Sequence, residues 1–227
     1  MQKAKRPCQN IAICLGLVVG AGSVLWFFLP ENKVLLIPGE MNTGHQNIDC
    51  DYCHRLATGS LRQQIQANVR FVLGLRLKAA DYGRSPVTNE QCLGCHRRPD
   101  DRHPVFLFFE PRFKEARKKL QPQSCISCHA EHSNVRITLS DIGFCRTCHE
   151  KLVLQEDPIS ISHAQLIKQK QWETCLGCHD FHGNHIMTTP RQLDKALAPQ
   201  KIRDYFNGAD SPYSKEKHHQ PLTEPQS

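Results

Sequence analysis

The chain has 227 residues, 39% of them hydrophobic, and its 12 cysteines and 13 histidines stand against only 3 methionines. Once the apolar N-terminal run is set aside, roughly 200 residues remain with too few core-forming side chains, which excludes a large peptide core and calls for a non-protein core or a cross-link framework. The formal charge is +7, from 29 basic and 22 acidic residues, a sign that by itself suggests anionic partners.

Residues 11–29 carry no charged side chain. As a helix they would span about 28 Å, close to the thickness of a bilayer core. Lys3, Lys5 and Arg6 precede them, and the first acidic residue is Glu31. The positive-inside rule therefore predicts a cytoplasmic N-terminus over 1–10, a transmembrane anchor over 11–29 and export of the rest. Trp26, Phe27 and Phe28 stand where interfacial aromatics anchor. A cleaved signal peptide is the alternative, with Val19-Gly20-Ala21 as its small-residue site. Cys8 and Cys14 lie on or before this segment and are read as bystanders.

A linker over 30–42, with Pro38 and Gly39, leads to the first of five Cys-x-x-Cys-His units, Cys50 to Cys53-His54. His45 lies just ahead of it. Leu61, Ile65, Val69, Val72 and Leu73 then follow helical spacing, which predicts a helix from Ser60 to about Ala79. Its apolar face suits the cover of a cofactor, or alternatively a membrane or partner surface. The second unit is Cys92 to Cys95-His96, followed by His103 in a Pro-flanked turn. The aromatic run 105–109 precedes an expected basic helix over 112–120.

The third unit is Cys125 to Cys128-His129, with His132 three residues on. The fourth is Cys145 to Cys148-His149 and the fifth Cys175 to Cys178-His179. The short gap between the third and fourth suggests that they lie close together. His163 precedes the fifth unit, and His182 and His185 follow it. Residues 188–227 form an extension without a motif. It is expected to hold a helix broken at Pro199 and to be partly mobile towards its end, where His218 and His219 sit.

Each unit is the c-type haem attachment pattern. Two cysteines three apart share one side of a helical turn, where they can form thioethers to one haem, and the next histidine can bind the iron. Paired Cys-x-x-Cys units also build zinc sites, and export favours disulfides. Neither alternative requires a histidine after every second cysteine, and five such hits by chance have a probability on the order of one in a million. The cofactor set is therefore five covalently bound haem c groups on Cys50, Cys53, Cys92, Cys95, Cys125, Cys128, Cys145, Cys148, Cys175 and Cys178. His54, His96, His129, His149 and His179 are the first axial ligands. His45, His103, His132, His163, His182 and His185 are the candidates for the second. Few methionines are at hand, so bis-histidine, low-potential haems are expected.

The repeated motifs, the distal histidines beside them and the scarcity of apolar sequence between them resemble class III, c3-type, multihaem cytochromes over residues 43–187. The plan of N-terminal anchor plus exported multihaem domain also resembles NapC/NirT-type quinol dehydrogenases and the pentahaem subunit of alternative complex III. No motif here continues as the Cys-His-x-Met of the NapC/NirT group. These resemblances imply electron transfer between membrane components and periplasmic acceptors.

The expected fold is mainly α with extensive loops: short helices wrapped around a covalently bound five-haem array, plus one N-terminal transmembrane helix. The expected place is a bacterial inner membrane, single-pass, with the haem domain in the periplasm. The expected function is relay of electrons from a quinol-linked or respiratory-complex donor to periplasmic acceptors. A multihaem reductase with one open iron is the alternative, but five standard motifs and abundant histidines argue against it. Partners are the lipid bilayer, a redox protein or quinol, and the haem-attachment machinery. Nucleic acid is excluded by charge. Without Lys3, Lys5 and Arg6 the chain has 26 basic residues against 22 acidic. About ten haem propionates, ionised at neutral pH, would make the exported holoprotein negative.

Overall fold

The computed structural model describes residues 7–29, 32 and 37–222. Lys3, Lys5, Arg6 and Glu31, part of the 30–42 linker, and residues 223–227 lie outside the described residues. The chain divides into two compact units, residues 1–40 and 41–227.

The first unit holds helix α1, Pro7–Phe28. Its segment Asn10–Phe27 has a mean hydropathy of 2.0 over 18 residues, so it is long and apolar enough to cross a membrane. A signal sequence fits the same description.

The second unit is built of short helices, single turns and loops. Among the described residues it has isolated bridges and no strand. Its helices are α2 (Cys50–Cys53), α3 (Leu61–Val72), α4 (Asn89–Cys95), α5 (Lys114–Leu120), α6 (Arg146–His149), α7 (His163–Lys168), α8 (Cys175–Cys178) and α9 (Pro199–Phe206). Short 3-10 turns at Val105–Phe109 and Pro111–Phe113 stand before α5, so the expected basic helix begins two residues late.

Helix α3 starts where Ser60 and Gln63 form a capping box. It stops at Val72, short of the expected Ala79, because Gly74 takes a left-handed φ of 72° and the Leu75 N–H turns back to the Arg70 carbonyl. Its buried contact is polar. Gln64 donates to the Gly59 carbonyl at 3.0 Å and accepts from Gly83 N–H, while Asn68 bridges to Ala80. The apolar stripe of Leu61, Ile65, Val69 and Val72 is left exposed by the polypeptide.

The peptide core is small. Ile142, Leu176, Ile202, Phe206 and Tyr213 form one buried cluster. Pro199 is the first residue of α9, where its missing N–H costs nothing, so the proline that was expected to break a helix starts one. Leu176 belongs to the fifth motif, and the core thus grips that motif directly. Gly177 makes the grip possible: a Cβ there would lie 2.5 Å from the Leu197 carbonyl oxygen. The described part of the 188–227 extension packs back onto the unit. The Tyr213 hydroxyl donates to the Leu176 carbonyl at 2.7 Å, and the Leu222 N–H donates to the Cys95 carbonyl at 3.0 Å.

Candidate haem-binding sites

All five motifs adopt the same local shape. The N–H of the motif histidine bonds to the carbonyl of the first cysteine, four residues back: His54 to Cys50 at 2.8 Å, and His96, His129, His149 and His179 to Cys92, Cys125, Cys145 and Cys175 at 2.9 Å each. One closed helical turn thus carries both sulfurs and the imidazole. None of the ten motif cysteines is joined to another in a disulfide. Among the described residues no three or more His, Cys, Asp or Glu converge as a zinc centre would require.

Every motif histidine faces one other histidine across a narrow gap. Ring centres are 6.3 Å apart for His54 and His132, 5.9 Å for His96 and His45, and 6.3 Å for His129 and His182. They are 6.1 Å apart for His149 and His103 and 6.3 Å for His179 and His163. Two imidazoles binding one metal from opposite sides, at ~2 Å each, place their centres roughly 6 Å apart. The polypeptide alone therefore holds five gaps of iron-ligand width, each beside a Cys-x-x-Cys turn.

At five of these ten histidines the other ring nitrogen is hydrogen-bonded. His45 Nδ1 bonds to Glu131 Oε1 at 2.5 Å, His163 Nδ1 to Asp157 at 2.9 Å and His182 Nδ1 to Asp101 at 2.9 Å. His103 Nδ1 donates to the Phe181 carbonyl at 2.6 Å, and His129 Nδ1 to the Arg136 carbonyl at 2.9 Å. An imidazole whose Nδ1–H is held this way presents its Nε2 lone pair to a metal. His132 sits in the left-handed region with φ 63°, a conformation uncommon for a side chain this large.

At four of the motif histidines the electrostatics favour the neutral, ligating imidazole. Burial pushes His96 down to about 4, helped by the Arg98 charge. Burial likewise lowers His129, His149 and His179. The hydrogen bond to Glu131 holds His45 above its ordinary value. Burial pushes the Asp101 carboxyl up, but the hydrogen bond and charge of His182 outweigh it and leave Asp101 below its usual range. Arg98 Nε is buried, 3.4 Å from Asp101, and makes no hydrogen bond, a donor suited to a haem propionate.

Of the six histidines expected as second ligands, five stand in the pairs. His185 does not. Its side chain is 7% exposed, its Nδ1 bonds to Asp180 at 2.8 Å and its Nε2 lies 3.4 Å from Ser211 Oγ. His218 and His219 pack on the Asn184 side chain and backbone.

The first motif lies against the second, the second against the third and the fourth against the fifth. Helix α2 packs on α4, which brings Cys53 near Cys92 and Cys95. The Cys92 side chain lies beside that of Cys125, and the Cys145 side chain beside that of Cys175. Asn89 ties the second motif to the third, accepting from Cys125 N–H at 2.9 Å and donating to the Gln123 carbonyl at 2.7 Å. The third and fourth motifs, expected to be close from their short gap, are linked instead through their distal histidines. The Phe181 ring stacks on His103 at 4.3 Å and meets His182 edge-on at 5.0 Å. Motif spacing does not single out Phe181, Asn89, Glu131, Asp101 or Asp157. An acid at hydrogen-bond range of a distal histidine emerges only after the loops have folded.

No curated protein and no solved structure matches the chain significantly. Residues 78–150 match the family model of cytochrome c3, a stretch that takes in the second, third and fourth motifs with His103 and His132. Over that stretch the chain thus resembles c3-type multihaem cytochromes, electron-transfer proteins with covalently bound haem c.

Proposed function

We propose that the chain is a membrane-anchored pentahaem relay with five bis-histidine sites. The observation that carries this reading is the set of five histidine pairs at 5.9 to 6.3 Å, one beside each Cys-x-x-Cys turn. In chain order the axial pairs are His54 with His132, His96 with His45, His129 with His182, His149 with His103, and His179 with His163. Haem c supplies a one-electron iron couple at each site. The residues of the chain tether, orient and seal. Cysteine sulfurs fix each plate at two points, and paired imidazoles leave no axial position for an outside ligand. Nδ1 acceptors hold the ring planes, and contacts between adjacent motifs keep the sites in the order first to fifth.

The same reading places α1 in a bacterial inner membrane and the second unit in the periplasm. There a quinol-linked donor or a respiratory complex would supply electrons and a periplasmic redox protein would accept them. The apolar span and the positive residues ahead of it support that placement. After export, the haem-attachment machinery would act on the five motifs.

The test is His132→Ala. It should convert one low-spin haem to a high-spin signal in electron paramagnetic resonance and leave four unchanged. An unaltered spectrum would remove His132 from the ligand set and undo the pairing.

A further inference from the structure

Two short loops meet between the third and fourth sites, and each serves the other. Asp101-Arg102-His103 carries one distal histidine, and Asp180-Phe181-His182 carries the other. His182 Nδ1 donates to Asp101 Oδ2 at 2.9 Å, while His103 Nδ1 donates to the Phe181 carbonyl at 2.6 Å. Between these bonds the Arg102 N–H donates to the His182 carbonyl at 3.1 Å. Asp101 also accepts the His103 N–H through Oδ1 at 2.9 Å, so one carboxylate touches both ligand residues. Its side chain is only 10% exposed. The Phe181 ring lies nearly parallel to His103, 10° apart, and nearly perpendicular to His182, 85° apart.

We propose that Asp101 and Phe181 are positioning residues that join the distal imidazoles of the third and fourth sites into one unit, and that the Asp101 carboxylate makes the third site the lower-potential member. The inference rests on His182 and His103 being axial ligands. An anionic acceptor on Nδ1–H raises the donor strength of the opposite nitrogen more than a neutral carbonyl does. A stronger donor stabilises the oxidised iron and lowers the potential. His182 has the carboxylate and His103 the carbonyl. Arg98, 3.4 Å from Asp101, tempers the charge without cancelling it. Phe181 acts through shape: its ring fixes both imidazole planes, so a change of plane at one site is passed to the other.

The experiment uses the full-length holoprotein, with potentiometric titration and electron paramagnetic resonance of the low-spin signals. Asp101→Asn keeps the size and an acceptor but removes the charge. It should move one midpoint upward by a tenfold change in the reduction equilibrium, ~59 mV for one electron, and alter one low-spin signal. Asp101→Glu, which keeps the charge, should return that midpoint towards the wild-type value. Phe181→Leu keeps the carbonyl and removes the ring, and should alter two low-spin signals together. Unmoved midpoints in Asp101→Asn, or a Phe181→Leu change confined to one signal, would overturn the proposal. His182→Ala separates the two levels. A high-spin haem in that variant with a silent Asp101→Asn defeats the joint alone. Without a high-spin haem, the ligand assignment itself falls.

Discussion

His132 holds a left-handed backbone at φ 63°, a conformation that costs a non-glycine residue ~1 kcal/mol or more and persists where the surroundings enforce it. The enforcement is visible next door. Glu131 bonds to His45 at 2.5 Å and accepts from Asn42 N–H at 3.3 Å, so the residue that orients one distal histidine is followed by another that faces a different motif. Sequence alone singles out the motif histidines, because each directly follows a Cys-x-x-Cys pair. It cannot separate His182 from His185, which both follow the fifth motif. The separation comes from acceptors far along the chain: Asp101 draws His182 towards His129, while Asp180 and Ser211 engage both nitrogens of His185. His185→Ala should therefore lower stability by about 1–3 kcal/mol, the cost of leaving a buried partner unpaired. It should leave every haem low-spin. Denaturant melts and resonance spectra of the same sample check both halves.

At the scale of elements, the start of α3 was legible and its length less so. Ser60 caps it, with a glutamine at the third helical position closing the box, as Ser162 and Gln165 do for α7. The end of α3 depended on Gly74, whose left-handed turn outweighs the continuing apolar spacing of Leu75 and Leu77. Helix α9 matters more than its place in a motif-free extension suggested. Its Ile202 is fully buried against Leu176 of the fifth motif, so α9 braces that Cys-x-x-Cys turn. Ile202→Ala should destabilise the domain by about 2–5 kcal/mol, as other deletions of buried aliphatic side chains do. Thermal melts should show that loss, and the fifth Cys-x-x-Cys turn should lose hydrogen-exchange protection before the other four.

Across the whole molecule, composition and structure agree on one point: the polypeptide has little core of its own. Ile142 and Ile202 are its largest fully buried side chains among the described residues, and both sit at the fifth-motif end. Elsewhere the motifs are held by hydrogen bonds, such as Asn89 to Cys125, and by imidazole pairs that leave a gap of iron-ligand width. One haem per ~30 residues would fill those gaps with apolar plates and supply the missing burial. The order of the sites was not legible, because it depends on loops that cross between motifs rather than on the spacing within them. The central claim is that all five sites are closed by two histidines. Spin quantitation on the purified full-length holoprotein of known haem mass tests it most directly. The account predicts five haems per chain, all low-spin, with a reduced form that does not bind carbon monoxide. A high-spin or carbon monoxide-binding haem, or fewer than five per chain, would contradict it.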